Sequence, residues 1–78
     1  MTNHDLELIQ QNIDKIVRFH CTDGEIITAK IDCVDPRDQE VVYEMLSTTD
    51  ESKYEKHDQQ LAYLIHFREI ASVELSDR

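Results

Sequence analysis

The stretch that most constrains this chain is FHCTDGEIITAKIDCVDP, residues 19–36, which holds the only glycine and the only proline among its 78 residues. Before Asp23-Gly24, the residues Val17, Phe19 and Cys21 alternate with Arg18, His20 and Thr22; after it, Ile27, Ala29, Ile31 and Cys33 form the matching inward set. Alternation with a period of two marks a half-buried β-strand, and Asp-Gly supplies a two-residue type I′ turn, so the stretch reads as an antiparallel hairpin. Asp35-Pro36 ends the second strand by placing aspartate and proline at the first two positions of a type I turn.

The flanks extend this pattern. In TNHDLELIQQNIDKI, the residues Leu6, Ile9, Ile13 and Ile16 recur at steps of three and four, which predicts an amphipathic helix over residues 3–14. Thr2 or Asn3 caps it, and Asp5 and Glu7 lie near the positive end of its dipole. The hairpin strands run over 16–22 and 25–34, and QEVVYEML continues as a strand over 39–47. Residues 48–60 are polar, aperiodic and read as a mobile loop. Two last strands, 61–67 and 70–75, are separated by a tight turn at Arg68-Glu69. The fold class is mostly β: one domain over 1–78, with an N-terminal helix and a five-stranded, strongly bent antiparallel sheet forming an open barrel.

The segment LAYLIHF breaks the alternation. Leu61, Tyr63, Ile65 and Phe67 lie on one face and Ala62 and Leu64 on the other, so only His66 offers water a polar group. An exposed apolar edge strand invites aggregation. Leu61, Ala62, Tyr63, Leu64 and Ile65 are therefore expected to pack against another copy, giving a homo-oligomer. A chain of this mass buries only roughly 60 % of its unfolded surface by itself.

Composition bounds the function. Seventeen Asp and Glu against 8 Lys and Arg give a net charge of -9, a field that repels nucleic acid at long range but leaves room for a local basic patch. No apolar run approaches a membrane span, and no basic-then-apolar leader opens the chain. The hairpin register puts Cys21 opposite Ile26 and Cys33 far along the other strand, so both read as reduced, packed thiols, which fits a cytoplasmic setting. The four histidines, His4, His20, His57 and His66, have no metal-ligand spacing. No nucleophile elbow or phosphate loop is present, so no enzyme activity, metal or cofactor is expected.

An N-terminal helix followed by five strands, with a short kink between the last two, resembles the Sm-like family of small RNA-binding barrels (Sm, LSm and Hfq proteins) over residues 3–76. The first motif of that family matches at Asp23, Gly24 and Asp35; Ala29 stands at its mid-strand glycine and Gln39 at its asparagine. Its second motif corresponds to IHFREI: Ile65 and Ile70 match, while His66, Phe67 and Arg68 replace arginine, glycine and asparagine. The resemblance implies a ring of about five to eight copies, joined through the fourth strand of one and the fifth of the next. It also implies single-stranded RNA at the pore, between Arg37, Asp38 and Gln39 of one loop and His66, Phe67 and Arg68 of another. Such a set can stack on a splayed base and bond its edge. Two competing readings stand beside it. Arg37 and Arg68 could pair with Asp35, Asp38 and Glu69 as surface ion pairs, and the acidic barrel could serve a basic protein partner without binding RNA.

Overall fold

The computed structural model describes residues 1–54 and 62–76. Helix α1 (Asn3–Gln11) precedes strands β1 (Ile16–Cys21), β2 (Ile26–Asp35), β3 (Glu40–Thr48), β4 (Tyr63–His66) and β5 (Ile70–Leu75). All pairings are antiparallel, in the order β4-β3-β2-β1-β5, so β4 and β5 form the two edges of the sheet. Alternation delivers the core: Val17 and Phe19, Ile27, Ala29 and Ile31, Val41 and Tyr43, Ile65, Ile70 and Val73 turn inward, and Ile9 of α1 packs with them. Ala29, where a glycine was expected, is fully buried. Among the described residues, no helix is long and apolar enough to cross a membrane.

Helix α1 begins with a capping box. The Thr2 hydroxyl accepts from the Asp5 N–H at 3.2 Å, and the Asp5 carboxylate accepts from the Thr2 N–H at 2.9 Å. The other Asp5 oxygen accepts from the Val73 N–H at 3.1 Å, which ties the helix start to β5. Burial pushes the Asp5 carboxyl up, but these bonds outweigh it and hold the group below its usual range. The helix is shorter than the predicted 3–14. Asn12 ends it, its side chain donating to the Leu8 carbonyl at 2.6 Å, and Asp14 then takes a left-handed φ of 68°. Ile13 consequently lies outside the helix and is exposed.

Two corrections concern the first hairpin. Its loop has three residues rather than two: the Gly24 N–H donates to the Cys21 carbonyl, the Cys21 N–H donates to the Glu25 carbonyl at 2.8 Å, and only Gly24 has positive φ, 94°. Cys21 therefore faces Glu25 and not Ile26, and Glu25 joins the inward set at 4 % exposure. Farther along, the pairing of β2 with β3 shifts between Ile31 and Cys33. A bulge adds one residue and reverses the faces beyond it. Cys33, expected inside, is exposed, and Val34 packs against the core instead.

The later elements are also displaced from their predicted bounds. Strand β3 starts and ends one residue later than expected, and β4 occupies four residues of the predicted 61–67. The polar loop is ordered at its start, where Glu51–Lys53 form a one-turn 3-10 helix. Leu61 and residues 55–60 lie outside the described residues. The expected Arg68-Glu69 turn is a 3-10 helix, Phe67–Glu69, capped by His66.

Candidate nucleic-acid interface

The six residues singled out for RNA come from two connections, β2–β3 and β4–β5. The first is an Asx turn: Asp35 Oδ1 accepts from the N–H groups of Arg37 and Asp38 at 3.0 and 3.2 Å. The second is held by reciprocal bonds, with His66 Nδ1 accepting from the Arg68 N–H at 3.4 Å and the Glu69 carboxylate accepting from the His66 N–H at 3.3 Å. The two meet directly, since the Phe67 N–H donates to the Gln39 carbonyl at 2.8 Å and His66 pairs with Glu40 across β3 and β4. Gln39 takes a left-handed φ of 58°, a conformation asparagine adopts more readily than glutamine.

Gln39, Phe67 and Arg68 line a recess of about 370 Å³ together with Pro36. Its remaining wall is Met1 and the start of α1, through Thr2, Asn3 and Leu6, which sequence reasoning missed. The signal was the cap itself: a helix N-terminus preceding the barrel has to be placed somewhere, and Asp5 anchors it to β5. Arg37 and Asp38 are exposed on the turn outside this lining, and His66 is half-buried beside it. Phe67 packs partly into the core, which leaves part of its surface to the recess. Among the described residues, no carboxylate lies within ion-pair distance of Arg37 or Arg68. The expected surface pairs with Asp35, Asp38 and Glu69 are not formed.

A second polar cluster was also missed. Glu25, at the opposite end of β2, accepts from the Thr48 hydroxyl, the Tyr54 hydroxyl at 2.7 Å and the Lys53 ammonium at 2.9 Å. Lys53 also reaches Asp23 at 2.7 Å. Burial pushes the Glu25 carboxyl up, yet its three donors outweigh this and leave it below the usual range. Burial and the carboxylates of Glu25 and Asp23 push the Cys21 thiol up to about 11. Donor atoms of Cys21, Asp23 and Glu25 lie within 4.8 Å of one another. A protonated thiol and a lysine ammonium between the two carboxylates make this an internal ion pair rather than a metal-ready set. The inward period of 31, 29 and 27, run back two more residues, points at Glu25.

The helix, strand order and kinked β4–β5 connection define an Sm-like fold. The crystal structure of the SmAP (LSm) protein from Methanococcus vannielii is similar to this chain at a TM-score of 0.66 and 15% sequence identity, covering 95% of this chain and 97% of that one. No protein-family model and no curated protein matches the sequence.

Proposed function

We propose that this chain is a non-enzymatic, cytoplasmic, ring-forming RNA-binding protein that takes single-stranded RNA in the recess between its β2–β3 turn and its β4–β5 helix. The observation that carries the reading is the 2.8 Å bond from the Phe67 N–H to the Gln39 carbonyl, which fastens the two loops so that a guanidinium, an amide and an aromatic ring border one recess. A base stacked on Arg68 or Phe67 and bonded at its edge by Gln39 would use this set. The guanidinium of Arg37, on the adjacent turn, is available to a phosphate. Asp35 spends one carboxylate oxygen on two backbone N–H groups, which reduces its competition for the arginines.

Ring formation is supported by the sheet edges. Among the described residues, neither β4 nor β5 has a second strand beside it, and Leu64 and Leu75 on these strands are 57% and 51% exposed. Pairing β4 of one copy with β5 of the next would satisfy both edges and repeat the recess around a ring, turning a weak contact into avidity. The test is titration of the chain with uridine-rich and adenine-rich hexanucleotides at low salt, read by fluorescence anisotropy. Binding that falls about tenfold or more in Arg68→Ala supports the reading. Absence of binding at tens of micromolar sites refutes it and leaves the acidic protein-interaction module.

A further inference from the structure

The free edge of β5 is already occupied at one point. Along β1 and β5 the register pairs Val17 with Leu75, Arg18 with Glu74 and Phe19 with Val73, and just beyond it the Ser76 N–H donates to the Ile16 carbonyl. Directly opposed residues of an antiparallel pair alternate between bonded and non-bonded. With Ile16 and Ser76 bonded, Arg18 and Glu74 are bonded too, and Phe19 and Val73 are not. The Val73 N–H and carbonyl therefore point away from β1, to the side on which β5 has no neighbouring strand among the described residues. Asp5 Oδ1 takes that donor at 3.1 Å. Helix α1 thus crosses to the edge as a strap. Its far end is fixed by Ile9 in the core and, in the link that follows, by the Asp14 N–H donating to the Ile31 carbonyl at 2.7 Å. Its near end is held by Asp5, and among the described residues no other side-chain hydrogen bond joins α1 to a strand. A helix of nine residues has little stability of its own, so its first turn can leave its place once that bond is exchanged.

We propose that α1 gates self-assembly: Asp5 and the β4 strand of a second copy compete for the Val73 N–H, a role that rests on the ring reading above. Strand addition draws its affinity from main-chain hydrogen bonds, and Val73 lies near the middle of the six-residue edge that an incoming β4 has to pair with. The Asp5 carboxylate stands where a backbone carbonyl of that strand would bond. Entry of the carbonyl leaves Asp5 to its bonds with Thr2. The first turn of α1 is then free to move, and with it Thr2, Asn3 and Leu6, which wall the recess beside Arg68. Ring closure and the shape of that recess are thereby linked. A copy with Asp5 seated on Val73 cannot pair along the whole edge, so the apparent assembly constant is lowered by the fraction of time the latch is closed.

That competition gives a signature no ordinary stabilising contact has: removing Asp5 strengthens assembly. The experiment is sedimentation velocity of the full chain across a concentration series, without RNA. Asp5→Ala is expected to assemble at a concentration about fivefold to tenfold lower than wild type. Glu7→Gln removes the same charge from an exposed position on the same helix and is expected to assemble as wild type does. Asp5→Asn, whose amide oxygen can serve Thr2 or Val73 but not both, carries the test if the alanine chain loses its far-UV circular dichroism, and its shift is expected in the same direction. Amide exchange followed by NMR reads the latch itself: the Val73 N–H is expected to be protected in wild-type monomers, unprotected in monomers of Asp5→Ala, and protected again on assembly. If wild type forms rings and the Asp5 variants assemble no more tightly, the gate is overturned and the ring stands. An equal gain from Glu7→Gln assigns the effect to charge and overturns the gate as well. Wild type and variants that all remain monomeric overturn the ring reading, and the gate with it.

Discussion

Glu25 and Gln39 are the residues at which local chemistry and fold pull against each other. Glu25 looks like an ordinary turn-flanking glutamate, but the three-residue loop turns it inward, where three side-chain donors compensate its burial. Glu25→Ala strands the two hydroxyls of Thr48 and Tyr54, and equilibrium urea unfolding is expected to register a loss of about 2–3 kcal/mol. Glu25→Gln keeps an acceptor oxygen and is expected to cost less. Gln39 pays for its left-handed φ of 58°. Gln39→Asn is expected to raise stability by about 0.5 kcal/mol in the same assay, because asparagine enters that region at lower cost. The alternation of Ile31, Ala29 and Ile27 points back at Glu25, and Gln39 stands where the Sm-like motif has asparagine, but neither the burial of the first nor the left-handed backbone of the second follows from the sequence. Turn length decides Glu25, and Asp-Gly alone does not distinguish a two-residue loop from a three-residue one.

At the scale of elements, period-two alternation located β1, β2 and β3, short apolar runs on either side of Arg68-Glu69 located β4 and β5, and the 3.6 period located the helix but overran its end. Ile13 continued the helical pattern while belonging to the link, since a pattern carries no stop signal when the terminator is an asparagine that bonds back to Leu8. The bulge in β2 was invisible for a related reason: Cys33 and Val34 are both apolar, so either face assignment satisfies the sequence. Thiol labelling of the native chain separates them. Cys33 is expected to react with an aromatic disulfide reagent in the folded state and Cys21 only on unfolding; equal rates would contradict the reversed face.

The tie between residues 48–54 and Glu25 carries its own pH signature. The folded carboxyl lies below its ordinary value of 4.5, so its stabilisation is fully present above that pH and is lost as pH falls through the depressed folded value. The advantage of wild type over Glu25→Gln in urea midpoint is therefore expected to shrink between pH 5 and 3, as a rough window. A constant difference would show that the charge of Glu25 contributes nothing.

For the whole molecule, the two-hairpin pattern and the apolar LAYLIHF segment made the Sm-like barrel legible, whereas the recess beside Arg68 was only half legible. Its loop residues follow from the hairpins, but the helix start that completes it depends on how α1 docks, and that docking rests on Ile9 in the core and on the long-range bond from the Val73 N–H to Asp5. The net charge of -9 also acts at this scale: on the proposed reading RNA contact is local, and affinity is expected to fall with salt in proportion to the few phosphates that Arg37 would meet. Native mass spectrometry of the purified chain mixed with a uridine-rich hexanucleotide reads assembly and ligand together. A closed ring of about five to eight copies carrying bound oligonucleotide is the expected result; a monomer that leaves the oligonucleotide free would contradict both the ring and its RNA site.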